Sequence, residues 1–228
     1  MKAQFDIDAG TASRHVEVEF DHLIVAGWAG RDVAAIEHHI EELAALGVPR
    51  PSAIPLYYRG AVSLIDQSDH LQVVGNDSSG EVEVFIFTVD GELCLTVASD
   101  HTDRKLEAHS VALSKQLCGK PIGRQAWRFH DVADHWDELV LRATIIENGT
   151  PVLYQNGTLA SLRHPLDLVG GCFAGATILP PGTGMLCGTM SAIGGIRPST
   201  SFAMELIDPR SGRTIRHSYR VEQLPHVA

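Results

Sequence analysis

The chain has 228 residues, of which 44% are hydrophobic and 20% are charged, a composition typical of a globular protein with a sizeable core. Its 18 lysines and arginines face 28 aspartates and glutamates, which gives a formal charge of −10 without any basic block. This balance argues against nucleic acid or a membrane as a partner. The N-terminal residues lack the apolar run of a signal peptide and no window approaches a membrane span in length, so we expect a cytoplasmic protein. The four cysteines form no C-x-x-C pair, which argues against a zinc site and a disulfide framework.

Short alternating segments between frequent glycines and prolines, 21 and 11 in number, predict a β-rich fold. In chain order, the pattern predicts strands at residues 15–20 and 22–26, a helix at 32–46, strands at 71–74, 81–88 and 92–98, a helix at 103–117, a short helix at 132–136, and strands at 140–147 and 202–207. Asn-Gly and Pro-Gly pairs predict turns at residues 148–149, 156–157 and 181–182.

Three acidic residues are candidate metal ligands. Glu81 and Glu83 are two positions apart in a strand pattern, which places both side chains on one face of a sheet. Asp100 follows the next apolar strand, at a strand end where functional carboxylates often project. Converging carboxylates would suit Mg²⁺ or Mn²⁺, which prefer oxygen donors. The same spacing is also typical of the solvent-facing side of an amphipathic strand, so both interpretations stay open.

The helix predicted at residues 32–46 carries a candidate acid/base pair. Ile36, Ile40 and Leu43 define its buried stripe. His39 lies at the edge of this stripe, and Glu42 follows one turn later on the same flank. At this spacing the carboxylate could orient the imidazole and raise its basicity, although a simple surface ion pair has the same pattern.

Two further features could contact an anionic ligand. Lys115 lies late in the predicted helix 103–117, where it either complements the helix dipole, reaches a substrate carboxylate or acts as a base. The glycine-rich segment 181–196 would let backbone amides approach an anion, and Thr189 would supply a hydroxyl. A turn-rich β corner would have a similar composition.

Taken in chain order, these motifs resemble those of the fumarylacetoacetate hydrolase superfamily from about residue 30 to the C-terminus. The segments G-R-D at 30–32, H-I-E-E-L at 39–43 and P-L-Y-Y-R at 55–59 are similar to the family pattern G-R-N, H-x-x-E and P-x-x-F-x-K. G-E-V-E at 80–83 and S-D-H-T-D-R at 99–104 are similar to its E-x-E and N-D-x-[ST]-x-R metal motifs. A-L-S-K at 112–115, P-I-G at 121–123 and the glycines of 181–194 resemble its lysine segment and its final glycine-rich segment.

The departures from these motifs indicate a divergent branch. Lys105 and Glu107 stand where the family has aspartate and glutamine, Arg59 stands for a lysine, and Thr183 stands for an acidic residue. The chain looks most like an uncharacterised bacterial group within the superfamily. The family's substrates therefore do not carry over.

The resemblance implies an α+β, β-rich fold, namely a mixed β-sandwich roll with a small N-terminal α/β portion. Residues 1–70, with the N-terminal strands and a lid helix, would belong to the same unit as a catalytic β-roll core at residues 71–228. It also implies one divalent cation, Mg²⁺ or Mn²⁺, held by Glu81, Glu83 and Asp100, and usually a homodimer.

The resemblance also implies roles for the remaining candidates. His39 and Glu42 match the family's general-base dyad, and Lys115 matches its catalytic lysine. Contacts with a small carboxylic acid substrate are expected from Arg31, Arg59, Arg104, Gly188 and Thr189.

The leading hypothesis is a metal-dependent enzyme that acts on a small 2-oxo or 1,3-dicarbonyl carboxylic acid through a metal-chelated enolate. The dyad favours C–C bond hydrolysis or decarboxylation. Isomerisation or dehydration of a 2-keto acid or sugar acid is the alternative, because it passes through the same enol. A non-catalytic β-roll that binds a small acid is the alternative from another class, and the presence of the three carboxylates, the dyad and Lys115 argues against it.

Overall fold

A computed structural model describes residues 1–8, 13–45 and 50–227, apart from the side chains of His39, Glu42, Leu43 and Ala45. The strands are, in chain order, β1 (Lys2–Asp8), β2 (Ser13–Glu19), β3 (His22–Gly27), β4 (Leu56–Gly60), β5 (Ile65–Asp66), β6 (His70–Val74), β7 (Ser78–Ser79), β8 (Val82–Val89), β9 (Glu92–Ser99), β10 (Thr102–Asp103), β11 (Lys120–Pro121), β12 (Gln125–Arg128), β13 (Val140–Glu147), β14 (Thr150–Thr158), β15 (Thr183–Leu186), β16 (Ser201–Ile207) and β17 (Thr214–Leu224). The α-helices are α1 (Val33–Ala45), α2 (Arg104–Glu107), α3 (Val111–Leu117) and α4 (Pro165–Cys172). Within the described ranges we find no helix with the length and apolar character needed to cross a membrane.

Two large sheets form the body of the fold. The first has eight strands in the order β2-β1-β12-β9-β8-β15-β3-β4, and it is mixed because the β1–β12 and β15–β3 pairs are parallel. The second has five strands in the order β14-β13-β16-β17-β6, with a parallel pair between β17 and β6. Two small ladders, β10–β7 and β11–β5, connect the segments between the sheets. The predicted β-rich α+β roll of the fumarylacetoacetate hydrolase type is confirmed.

Strand β8 contributes to two apolar clusters, one on each of its faces. On one face it packs with residues of the five-stranded sheet, in a cluster that includes Val82, Val84, Ile86, Phe202 and Leu206. On the other face it packs with the N-terminal strands, in a cluster that includes Phe5, Phe20, Leu23, Phe85 and Phe87. The eight-stranded sheet therefore has apolar side chains buried on both sides, which explains why the sequence of β8 is almost continuously hydrophobic. All four cysteines are free, as expected.

Most of the elements named in the sequence analysis are present, and three differ. Residues 103–117 form two helices rather than one, because Ser110 adopts an extended conformation and its side chain caps α3. Residues 132–136 lie at the start of a 3₁₀-helix, Ala133–Glu138. The turn predicted at residues 156–157 is wrong, since both lie inside β14. Gly157 packs closely on Met190, because an added Cβ would lie 2.8 Å from the sulfur of that side chain.

Strand β1 was missed by the sequence analysis, although its burial alternates along the strand as a half-buried strand should. The helix at 32–46 is confirmed as α1, and position 46 lies outside the described residues. The turn at residues 148–149 is confirmed, with left-handed φ angles of 50° and 76°.

Gly184 of β15 lies against the aromatic cluster, so we expect Gly184→Ala to destabilise the fold. An added Cβ would lie 2.2 Å from Phe85 Cζ and 3.2 Å from Phe20 Cε1, and both rings are buried. The free energy of unfolding, measured by urea denaturation, should fall by roughly 1 to 3 kcal/mol. The matched control is Gly170→Ala in α4, where the nearest atom to an added Cβ is 3.6 Å away. This control should be neutral or slightly stabilising, and equal losses in the two variants would contradict the prediction.

Candidate active site

The β8–β9 hairpin brings the three candidate carboxylates together. Its turn, at residues 90–91, has left-handed φ angles of 51° and 81°, as a tight two-residue hairpin turn requires. The antiparallel register returns the end of β9 to the start of β8, where the backbone N–H of Asp100 donates to the carbonyl of Glu81 at 3.0 Å. Asp100 therefore lies beside Glu81 and Glu83 although the chain between them runs the length of two strands.

These three side chains form a largely buried acidic cluster. Each offers a carboxylate oxygen within 4.8 Å of the others. Glu83 and Asp100 have exposed fractions of only 2% and 1%, and Glu81 is partly buried. The solvent-facing interpretation is therefore wrong for Glu83. A buried cluster of this kind needs positive charge to offset its desolvation.

Three basic side chains supply positive charge to the cluster. Lys115 Nζ lies 2.5 Å from Asp100 Oδ2 and 3.6 Å from Glu81 Oε2. Lys120 Nζ lies 2.9 Å from the other oxygen of Asp100, Oδ1. Arg104 Nη2 lies 3.0 Å from Glu81 Oε1. Two of the four lysines of the chain thus converge on one carboxylate.

The pKa shifts follow from this arrangement. Burial alone would raise the pKa of the Asp100 carboxyl, but Lys115 and Lys120 outweigh burial and hold it well below its usual range. The pKa of Glu83 is instead raised well above its usual value, by burial first and then by the negative charges of Asp100 and Glu81. The positive charge near Glu83 is therefore too small to offset its burial.

Lys115 carries a positive charge in this arrangement. Burial would lower the pKa of its ammonium group, but the carboxylates of Asp100, Glu81 and Glu107 outweigh burial and raise that pKa above the ordinary value. The other explanation of Lys115, a surface charge that complements the end of a helix, does not fit its exposed fraction of 6%. Lys115 is suited to stabilise negative charge on a bound ligand.

The chain after β9 folds back so that both lysines reach Asp100. Asp103 caps α2 and Ser110 caps α3, each with a side chain that accepts a backbone N–H. Lys115 lies in the last turn of α3, where its ammonium also donates to the Thr102 hydroxyl at 3.3 Å. Lys120 lies in β11, which the β5 ladder holds beside the cluster.

Gly188 and Thr189 approach the cluster from the end of β15. The backbone N–H of Gly188 donates to Glu83 Oε2 at 2.8 Å. Its φ of 93° and the 2.6 Å that would separate an added Cβ from Ala29 Cβ both require glycine. The Thr189 hydroxyl donates to the carbonyl of Val82 at 2.8 Å. Lys115 and Gly188 therefore contact the same group of carboxylates from different elements.

The donor set fits a hard divalent cation such as Mg²⁺ or Mn²⁺. All three candidate ligands offer carboxylate oxygens, and they lie close enough to share one ion. Burial and the neighbouring charges of Asp100 and Glu81 raise the pKa of Glu83, so a cation bound among these oxygens would favour the ionised form of Glu83. Glu81, Glu83 and Asp100 are the residues that would hold the ion.

The other arginines proposed as substrate contacts are engaged elsewhere. Arg31 makes a bidentate ion pair with Asp137, with distances of 2.7 and 2.8 Å. The guanidinium of Arg59 lies 6.0 Å from the centre of the Phe173 ring. Among the described residues, Arg104 is the one of these three arginines that contacts the carboxylate cluster. Their roles in substrate binding stay predictions.

The side chains of the dyad proposed on α1 lie outside the described residues. The backbone of α1 is described, but the side chains of His39 and Glu42 are not. Ile40, predicted to lie in the buried stripe, has an exposed fraction of 2%. The dyad therefore stays a prediction from the sequence.

Three residues of the site were not found by sequence reasoning. Lys120 directly precedes the P-I-G segment, and its signal is the rarity of lysine in this chain. Glu107 accepts a hydrogen bond from Arg104 at 2.7 Å and lies 3.7 Å from Lys115 Nζ. Gln155 donates to the Thr189 hydroxyl at 2.9 Å from strand β14, a contact that no local pattern indicates.

Comparison with solved structures shows the fold of the fumarylacetoacetate hydrolase superfamily. Yeast ynq8, a fumarylacetoacetate hydrolase family protein, is 16% identical, with a TM-score of 0.63 over 91% of this chain and 95% of that chain. A 2-keto-3-deoxyarabinonate dehydratase is 14% identical, with a TM-score of 0.65 over 90% of this chain and 75% of that chain. The fold expected from the sequence motifs is thus confirmed.

Within this fold, the chain belongs to the family described as a protein of unknown function, DUF2848, whose model matches residues 26–219. A search of curated protein sequences finds no match.

We expect Glu83→Gln and Asp100→Asn to change stability in opposite directions in the absence of metal. Glu83→Gln removes a buried charge and keeps an acceptor for the N–H of Gly188, so it should stabilise the fold by roughly 1 to 3 kcal/mol at pH 7. Asp100→Asn leaves the buried ammonium groups of Lys115 and Lys120 without their carboxylate and should destabilise it by roughly 3 to 5 kcal/mol. Urea denaturation in EDTA measures both.

The pH dependence gives the control for this prediction. Because the pKa of Glu83 is raised in the fold, wild-type stability falls as the pH rises from the unfolded value of glutamate, about 4.3, through the folded pKa. The advantage of Glu83→Gln over wild type should therefore be small at pH 4 and should grow with pH. A variant that is less stable than wild type at pH 7 would contradict the assignment of a raised pKa.

Proposed function

We propose that the chain is a divalent-metal-dependent enzyme that acts on a small 2-oxo or 1,3-dicarbonyl carboxylic acid through an enolate, by C–C bond hydrolysis or decarboxylation. The observation that carries this proposal is the buried convergence of Glu81, Glu83 and Asp100 with Lys115. A buried charge cluster is costly to stability, and such clusters are characteristic of functional sites. The shared fold with fumarylacetoacetate hydrolase family proteins supports an enzyme of this type.

The three carboxylates would hold Mg²⁺ or Mn²⁺, which when bound supplies positive charge that stabilises an enolate. Lys115 would offset negative charge that develops on the substrate, since its ammonium lies among the same carboxylates. Gly188 fixes Glu83 through its backbone N–H. Thr189 and Arg104 are the proposed contacts for the substrate carboxylate, and Arg31 and Arg59 would contribute only if they left their present partners.

His39 with Glu42 would transfer the proton, on a lid formed by α1. The residues before α1 are anchored, because Gly30 pairs with Leu162 and Arg31 pairs with Asp137. Three of the first residues of α1, at positions 33–35, are exposed. A helix with an anchored N-terminal connection and an exposed face is suited to close over a bound ligand.

Dehydration or isomerisation of a 2-keto acid or sugar acid is the second candidate. Its support is the structural similarity to a 2-keto-3-deoxyarabinonate dehydratase. A non-catalytic β-roll that binds a small acid is the alternative from another class. For either enzyme, the acidic chain favours a small-molecule partner rather than nucleic acid or a membrane, and we propose a cytoplasmic homodimer.

The proposal is tested by a screen for turnover in the presence of Mg²⁺ with acylpyruvates, oxaloacetate and 2-keto-3-deoxy sugar acids. We expect one of the first two classes to be consumed, with activity lost in EDTA and restored by Mg²⁺ or Mn²⁺. Turnover of sugar acids alone would favour the dehydratase candidate. Binding without turnover across the panel would favour the non-catalytic alternative.

With a substrate in hand, His39→Ala should lower kcat by roughly 100- to 10,000-fold, because a general base is removed. The affinity for the metal should change little, since the helix supplies none of the proposed ligands. His38→Ala, at an exposed position of the same helix, is the matched control and should leave kcat nearly unchanged. Equal losses in the two variants would contradict the dyad.

A further inference from the structure

Lys120 is the most deeply buried charged side chain near the proposed metal site. Its exposed fraction is 0%. Its ammonium lies 2.9 Å from Asp100 Oδ1 and donates to the carbonyl oxygen of His101 at 2.6 Å. Lys120 touches only one of the candidate ligands, on the oxygen that Lys115 does not contact.

The two lysines that pair with Asp100 differ in their freedom to move. Lys115 has other acceptors close by, with Thr102 Oγ1 at 3.3 Å, Glu81 Oε2 at 3.6 Å and Glu107 Oε1 at 3.7 Å. It can therefore leave Asp100 Oδ2 and still be paired. Lys120 is held by the β11–β5 ladder and by the buried carbonyl it contacts, and the next residue is a proline. Displacing its ammonium would leave a buried charge without partners.

This difference assigns different roles to the two oxygens of Asp100. Lys115 can shift from Oδ2 to its other acceptors, whereas the ammonium of Lys120 stays 2.9 Å from Oδ1 as an ion pair without hydrogen-bond geometry. The paired ammonium reduces the negative charge that the carboxylate can offer to a cation. It also places a fixed positive charge close to the ion itself, which opposes ion binding.

We propose that Lys120 is a positioning residue that orients Asp100 and lowers the affinity of the carboxylate cluster for a divalent cation. This inference rests on the proposed metal site. Lys120, Lys115 and Arg104 together balance most of the negative charge of the cluster before any ion binds. The protein alone therefore binds the ion less tightly. An anionic substrate adds negative charge, which offsets the positive charge of Lys120.

The test is the affinity for Mn²⁺ alone, measured by isothermal titration calorimetry on the wild-type protein, Lys120→Met and Lys105→Met. Lys105→Met is the matched control, because it makes the same change of charge at an exposed position of the same segment. Lys120→Met should bind Mn²⁺ more tightly than wild type, on the order of 10- to 100-fold. Lys105→Met should stay close to wild type.

The sign of the change separates this role from a structural one, because damage to the fold would weaken Mn²⁺ binding rather than strengthen it. Lys120→Gln, which keeps a donor for the His101 carbonyl, should show the same tighter binding and covers the case in which Lys120→Met fails to fold. Equal or weaker Mn²⁺ binding by the folded Lys120 variants, with wild type binding normally, would overturn the inference and leave the metal site intact. No Mn²⁺ binding by wild type or by any of these variants would overturn the metal site and this inference together.

Discussion

The ionised carboxylate of Asp100, buried between two lysines, is the constraint on which the rest of the site depends. A buried carboxylate is tolerated only when its charge is paired, and both oxygens of Asp100 are paired. Its partners come from different elements, because Lys115 lies in α3 and Lys120 lies in β11. The whole segment from β9 to β11 must therefore fold back onto the end of the β8–β9 hairpin. The caps at Asp103 and Ser110 define the short helices that make this return possible.

Strand β8 serves both the core and the site, and Glu83 is the residue at which these roles conflict. The strand is buried on both faces and packs against both clusters of the core. Glu83 breaks this apolar run and is buried beside two other carboxylates, which raises its pKa. A residue that costs stability in the isolated protein is understandable where it binds a ligand.

Helix α1 joins the fold in a different way from the strands that carry the carboxylates. Asp32 accepts hydrogen bonds from the first backbone N–H groups of the helix, at 3.0 and 3.1 Å, and the Arg31–Asp137 ion pair fixes the chain just before it. Among its described side chains, Ile40 is the buried one. The three carboxylates thus lie at the end of the β8–β9 hairpin, whereas α1 belongs to a separate segment that supplies none of them, so a change in the position of the helix need not move the carboxylates.

Local patterns in the sequence determined the β-rich fold, the position of α1, the strands β8 and β9 and the glutamate pair, because strand and helix periodicity act over a few positions. They failed where a distant contact overrides a local preference. The Asn-Gly pair at 156–157 lies in a strand because both residues pair with β13, and β14 supplies Gln155 to Thr189 from far along the chain.

What only the tertiary structure decided is the environment of each charge. Glu81 and Glu83 have the spacing of a solvent-facing strand, and Lys115 has the position of a charge at the end of a helix, so the sequence leaves both interpretations open. Burial and the pairing of Asp100 with Lys115 and Lys120 settle where these side chains lie, because desolvation and ion pairing depend on neighbours that the fold brings together from separate segments.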